Sequence, residues 1–295
     1  MSNRGNWGRW GESDERGALN LCTPERALSA AHGCRTGKVY GLALPIGRRT
    51  PHVWDRPDPQ RLTLTSPSDA VDQQRLGAPE GTGSSEDMLV LASHTGTHMD
   101  ALSHVFAGDK IYNGFPASSF TSRRGAGRCA IDRTAAFAGR GVLLDIAGHE
   151  GVPLLEPGRP ITSSDLESCR AAQGSHLESG DVLLIRTGWT EALERREAVP
   201  ADRQPGMGLD AVDFVRDHDL AVVGADNAAV EVIPFDNGTY LGVHIELLVN
   251  LGVTLLEHLW LADLAADECH DFLLAVGALP VTGATGSPVN PIAIG

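Results

Sequence analysis

The fold is decided by three short apolar runs in the middle of the chain: GVLLDI at 141–146, DVLLIR at 181–186 and LAVVG at 220–224. Each run is bounded by Gly or Asp and has the length of a buried β-strand rather than of a helix. Helical patterns over 162–173 and 209–218 separate them, and the first opens with Thr162 and Asp165 in a capping-box arrangement. This alternation predicts an α/β layered fold.

Outward from these runs, the chain contains further helices, a further strand and a long loop. A helix is predicted over 23–33, with Thr23 as its N-cap and Gly33 as its end, and another over 244–251. The apolar run at 88–92 predicts a buried strand. Residues 50–87 lack periodicity and are interpreted as a long loop, either a functional lid or an insertion.

Composition excludes several classes of partner. The 295 residues include 24 Lys and Arg against 38 Asp and Glu, a formal charge of −14, whereas nucleic acids and anionic membranes are bound by basic surfaces. No run approaches the roughly 20 apolar residues of a membrane span. The five cysteines are scattered and form no C-x-x-C pair, and the N-terminus carries no secretory signal, so a cytoplasmic location is expected.

The most informative segment is SHTGTHMDALSH at 93–104. A helix would place His94 and His98 on one face but would turn Asp100 away from them. A straight strand would separate the two histidines by ~13 Å, too far for ligands that lie ~2.0–2.2 Å from one ion. A bend is therefore required, and Gly96 is the residue between them that can adopt it.

This geometry predicts that His94, His98 and Asp100 bind one divalent metal. Beyond the bend, His98 and Asp100 share one face of an extended segment. Two imidazoles and a carboxylate leave coordination positions open, as a catalytic site requires, and they suit Mn²⁺ or Zn²⁺ equally.

The segment also resembles a family signature. His94-Thr-Gly-Thr-His98-Met-Asp100-Ala-Leu-Ser-His104 is similar to the H-x-G-T-H-x-D-x-P-x-H motif of the cyclase family, which includes bacterial kynurenine formamidase, isatin hydrolase and trans-dienelactone hydrolase. Leu102 stands where kynurenine formamidases have proline. Together with the Trp-rich N-terminal arm, it makes the chain more similar to the larger cyclase and isatin-hydrolase branch. The resemblance extends to NWGRWG at 6–11, to 224–231 and to GSPVNP at 286–291.

The resemblance implies a swivelling β/β/α fold, with a mixed sheet and flanking helices, in a single domain over 1–295. An arm over about 1–20 and a loop over about 50–87 would belong to that domain. It also implies a homo-oligomer, dimer or tetramer, in which His104 is the catalytic proton-transfer residue. His244 and Glu257 match later residues that line the site or hold a second metal.

The resulting hypothesis is hydrolysis of a small cyclic or aryl amide, lactam or lactone by metal-activated water, with His104 moving the proton. One alternative is a metal-dependent cyclase or dehydratase acting on a polyketide-like substrate; another is a non-catalytic metal-holding protein. Asp226 follows a predicted strand, where it either joins the site, behind the metal ligands or at a second metal, or caps a turn. Trp7, Trp10 and Trp54 either line an aromatic pocket or anchor the arm.

Overall fold

The computed structural model describes residues 5–51, 56–134 and 136–295. Its strands, in chain order, are β1 (Val39–Gly41), β2 (Gln60–Thr65), β3 (Glu86–Val90), β4 (His98–Asp100), β5 (Phe120–Thr121), β6 (Gly125–Ala126), β7 (Ala136–Asp145), β8 (Pro160–Ile161), β9 (Val182–Arg186), β10 (Gly206–Met207), β11 (Val222–Ala225), β12 (Thr254–Glu257), β13 (Asp271–Gly277), β14 (Gly286–Pro288) and β15 (Ile292–Ile294).

The α-helices are short. They are α1 (Pro24–Gly33), α2 (Ala70–Arg75), α3 (Ile146–His149), α4 (Ser163–Gln173), α5 (Trp189–Glu194), α6 (Ala211–Asp217), α7 (Gly242–His244) and α8 (Ala262–Ala266). A π-helix over Ile245–Leu251 continues α7 without a break and ends at Gly252, whose φ is +65°. None of the helices in the described ranges is long and apolar enough to cross a bilayer.

Among the described residues, nine strands form one mixed sheet in the order β1-β15-β13-β7-β9-β11-β12-β4-β14. The central strands β7, β9, β11 and β12 are parallel, and the other pairings within this sheet are antiparallel. The α/β fold with a mixed sheet and flanking helices is confirmed.

Both faces of the sheet are covered, which explains the continuous apolar runs. In β9, Leu183 and Ile185 pack into one core, which includes residues of α4 and α6, whereas Val182 and Leu184 pack into a second core, which includes Leu264 of α8. Because alternate side chains of a strand point to opposite faces, a strand covered on both sides favours apolar residues at successive positions, as Val182–Ile185 shows.

Local helix signals were accurate. The Thr23 side chain accepts a hydrogen bond from the Arg26 backbone at the start of α1. The Thr162 and Asp165 capping box opens α4 as predicted. Both signals act within one turn of helix, so they depend little on distant parts of the chain.

The prediction of a buried strand at 88–92 was wrong. The strand covers Glu86–Val90, is exposed along its whole length, and pairs with β2 in a separate two-stranded ribbon outside the main sheet. The segment over 50–87, interpreted as a loop, thus contains β2, α2 and the beginning of β3. An apolar run resembles a core strand in sequence even when its neighbours leave it at the surface.

The N-terminal arm is docked on the end of the π-helix. Trp7 Nε1 donates to the Val249 carbonyl (2.6 Å). The Arg9 guanidinium forms a bidentate ion pair with the Asp219 carboxylate. Trp7 and Trp10 pack against the first core, so they anchor the arm; Trp54 lies outside the described residues.

Candidate metal centre

The histidine segment bends at Gly96, as the spacing predicts. Gly96 has a φ of +62°, and a Cβ placed there would lie 2.7 Å from Thr50 Cγ2. The chain then enters β4, which holds His98 and Asp100 two residues apart on one extended segment. Thr97 fixes the join, because its hydroxyl donates to the His258 carbonyl and accepts from the Leu44 backbone.

Strand pairing places a second carboxylate beside His98. In the antiparallel register of β4 and β12, His98 lies directly opposite Glu257. The His98 Nε2 and Glu257 Oε2 atoms are 3.0 Å apart, and both side chains are buried. Directly opposed side chains of antiparallel strands are nearest neighbours, so this contact follows from the register.

The His94 side chain, on the other side of the Gly96 bend, contacts Asp100. Its Nδ1 lies 2.7 Å from Asp100 Oδ1, and its Nε2 lies 3.1 Å from Thr285 Oγ1. The His104 ring stacks on the His94 ring with a centroid separation of 4.0 Å. Asp100 is thereby shared by two groups of possible metal ligands. Within each group, the ligand atoms all lie within 4.8 Å of one another: His94, Asp100 and His104 form one group, and His98, Asp100 and Glu257 form the other.

His244 is the last member of the cluster and contacts both of its carboxylates. Its Nε2 is 3.3 Å from Glu257 Oε1 and 3.7 Å from Asp100 Oδ2. Its Nδ1 is 2.5 Å from Glu231 Oε1, on the side away from those two carboxylates. We call His94, His98, Asp100, His104, His244 and Glu257 the Asp100 cluster.

Three atoms of the cluster make no hydrogen bond of good geometry in the described part of the chain, although a histidine or carboxylate atom lies 3.0–3.7 Å from each: His98 Nε2, Asp100 Oδ2 and Glu257 Oε1. Buried polar atoms are normally satisfied, so orphans on three neighbouring side chains need an explanation. A nitrogen and two carboxylate oxygens are ligand atoms for Mn²⁺ or Zn²⁺. The donor set therefore fits a divalent cation.

Charges within the cluster shift the pKa values of its members. Burial alone would raise the pKa of Asp100, but His104 and His94 outweigh it and hold that pKa well below its usual range. Burial likewise opposes the charge of Glu257, yet His98 and His244 lower its pKa to about 2. Two ionised carboxylates at neutral pH give the pocket an affinity for a cation.

His104 differs from its neighbours. Burial lowers its pKa to about 4, and the nearby His94 and His244 add to this effect, while Asp100 opposes it. Its imidazole is therefore neutral at pH 7 and has a lone pair with which to accept a proton.

Asp226, another predicted candidate, faces a different loop. Its Oδ1 accepts from the backbone and the hydroxyl of Thr187, and its Oδ2 accepts from the Gly188 backbone. Asp226 therefore holds the turn that follows β9. This agrees with the second role predicted for it, which was to cap a turn. Burial raises its pKa to about 6.

Two residues that contact the cluster were not among the predicted site residues. Glu231 binds His244, and Thr285 binds His94 from 191 residues further along the chain. Glu231 ends the 224–231 segment that carries the family resemblance, and as an acid inside the apolar run at 228–233 it also stands out in the sequence, but the prediction gives it no role in the site. The sequence near Thr285 carries no comparable signal.

Comparison with known proteins agrees with the fold and the motif. The family model described as "Putative cyclase" matches residues 40–232. A crystal structure described as that of a novel cyclase is 37% identical, with a TM-score of 0.90, covering 99% of this chain and 97% of that one. No protein with curated annotation matches the chain.

More distant structures share the fold. Isatin hydrolase A from Ralstonia solanacearum is 18% identical with a TM-score of 0.67, covering 92% of this chain and 97% of its own. An isatin hydrolase bound to the product analogue thioisatinate is 18% identical with a TM-score of 0.65, at 92% and 99% coverage. The family model covers well over half of the described chain, and the novel cyclase matches almost all of it. The chain therefore belongs to the cyclase family.

Proposed function

We propose that this protein is a metal-dependent hydrolase of a small cyclic or aryl amide, lactam or lactone. The observation that carries the proposal is the convergence of His98 Nε2, Asp100 Oδ2 and Glu257 Oε1, all buried and without hydrogen bonds to the described residues. The likeness of the fold to isatin hydrolases supports the reaction class.

In this proposal His98, Asp100 and Glu257 would hold Mn²⁺ or Zn²⁺, while His94, which is grouped with Asp100 and His104, would contribute a ligand on its own side of Asp100. His244 borders the site and is available for a second ion. A divalent cation bound here lowers the pKa of water toward ~7 and polarises a carbonyl oxygen. Because Asp100 belongs to both candidate ligand groups, the cluster would offer ligands for one ion or for two.

His104 moves the proton. Its pKa of about 4 keeps the ring neutral at pH 7, so an imidazole nitrogen accepts a proton from water and returns it to the leaving nitrogen or oxygen. Stacking on His94 fixes the plane of the ring beside Asp100. This neutral, oriented histidine also favours an enzyme over a metal-holding protein, because metal storage needs no proton acceptor.

The test begins with elemental analysis of the purified protein. Small lactams, formamides and lactones are then screened with the identified metal restored, and product masses are measured. A gain of one water supports hydrolysis, whereas loss of water or an unchanged mass supports the cyclase or dehydratase alternative. Asp100→Asn removes a shared anionic ligand and should abolish metal retention and turnover together; full metal content in that variant contradicts the assignment.

We further propose that the chain forms a homo-oligomer through the ribbon of β2 and β3. Leu62 and Met88 are paired across the ribbon, and Leu62, Met88 and Val90 are each more than 40% exposed. The opposite face carries the Arg61–Asp87 ion pair. A two-stranded ribbon is marginally stable alone, and a second copy offers a matching apolar face under two-fold symmetry.

A further inference from the structure

Glu231 makes contacts that the proposed chemistry does not yet use. Its side chain is only 1% exposed, and both carboxylate oxygens are occupied. Oε1 lies 2.5 Å from His244 Nδ1 and accepts the His244 backbone N–H at 3.4 Å, while Oε2 accepts the Val243 backbone N–H at 3.2 Å.

These contacts decide how His244 faces the Asp100 cluster. A carboxylate only accepts hydrogen bonds, so the Nδ1 beside Glu231 carries a proton. The other nitrogen, Nε2, then points at Glu257 Oε1 and Asp100 Oδ2. A histidine held by a carboxylate on one nitrogen has its ring plane fixed and its second nitrogen made more basic.

The backbone around Glu231 is shaped to present this carboxylate. Val230 has a φ of +57°, a conformation that β-branched residues rarely adopt and that persists only where the surroundings impose it. Met207 imposes it from a neighbouring strand: its N–H donates to the Val230 carbonyl and its carbonyl accepts from Val232. The Asn227 side chain binds the Glu231 carbonyl at 3.0 Å. Strained positions of this kind cluster at functional sites.

We infer that Glu231 is a positioning residue that orients His244 Nε2 toward the cation site. The inference rests on the proposed function, because it gives His244 a ligand or site-lining role. It goes further by assigning the buried acid of the 228–233 run to the same centre. A purely structural carboxylate would stabilise the fold without affecting cation binding.

The first test measures Mn²⁺ affinity by equilibrium dialysis. Glu231→Gln should weaken binding ten- to hundredfold. The matched control is Asp181→Asn, which removes another fully buried carboxylate, one paired with Arg26 and Arg140. The control should lower the unfolding midpoint of the metal-free protein and leave Mn²⁺ affinity unchanged. Wild-type affinity in Glu231→Gln overturns the inference.

A double-mutant cycle tests the route through His244. His244→Ala should weaken binding by itself, and adding Glu231→Gln should produce no further loss, because the residue through which it acts is gone. An equal further loss shows that Glu231 acts by another route. If the wild type binds neither Mn²⁺ nor Zn²⁺, the proposed function fails as well, which separates the two outcomes.

A spectroscopic readout avoids any variant that does not fold. In metal-free wild type labelled with ¹⁵N-histidine, His244 should show a strongly hydrogen-bonded Nδ1 proton, assigned by its loss in His244→Ala. Glu231→Asp, which shortens the acid by one methylene, should shift that signal upfield. Absence of an Nδ1 proton in wild type overturns the inference directly.

Discussion

Replacement of Gly286 by Ala places one methyl group against the centre without changing any charge. A Cβ at this position in β14 would lie 2.5 Å from His94 Cε1 and 2.9 Å from the Met99 carbonyl oxygen. Ordinary contact begins at 3.4 Å, so the His94 ring must retreat by about 0.9 Å. A retreat directed away from Asp100 would stretch the 2.7 Å contact between His94 Nδ1 and Asp100 Oδ1 to at most roughly 3.6 Å, beyond hydrogen-bond range.

The displacement should appear in both binding and rate. A misplacement of about 1 Å costs on the order of 10²-fold in rate, and overpacking costs ~1–3 kcal/mol of unfolding free energy. We would measure Mn²⁺ affinity by equilibrium dialysis, kcat/KM on the substrate found by screening, and unfolding in urea. Affinity provides a readout even before a substrate is known.

Gly277→Ala is the matched control. Gly277 is also a strand glycine of the main sheet, yet a Cβ there meets no atom of the described residues within 4 Å. This variant should retain wild-type affinity and rate. If Gly286→Ala behaves like Gly277→Ala in all three assays, His94 does not belong to the binding site in the arrangement described.

Three further outcomes are expected. His104→Ala should keep its metal by elemental analysis but lose ~10²–10⁴-fold in kcat, while the exposed His32→Ala loses neither; an active His104→Ala contradicts proton transfer by this ring. The folded pKa of His104 lies below the ordinary value, so between about pH 6.5 and pH 4 the unfolded chain binds a proton that the folded chain does not. The free energy of unfolding of the metal-free protein should accordingly fall as the pH is lowered from about 6.5 to about 4, and it should fall less steeply in His104→Gln. Parallel profiles of the two proteins in urea denaturation would show that His104 is not the cause. Leu62→Lys on the apolar face of the ribbon should reduce the oligomer mass in light scattering, whereas Thr63→Lys on the opposite face should not, and a monomeric wild type would contradict the oligomer proposal.

The sequence predicted those features that depend on neighbours along the chain. Helix starts at Thr23 and Thr162, the bend at Gly96 and the short spacing from His98 to Asp100 are governed by local backbone geometry. The three apolar runs that alternate with helical patterns likewise indicated buried strands of an α/β fold, because such strands are covered by helices on both faces.

Tertiary structure alone decided which distant residues meet these. Glu257 reaches His98 through the register of β4 on β12, Thr285 reaches His94 through β14, and Glu231 reaches His244 across a strained turn. Tertiary packing also left the apolar run of β3 at the surface, although in sequence it reads as a core strand. Local propensity reflects a few residues of backbone, whereas strand register and burial depend on the packing of the whole chain, so neither can be read from one segment.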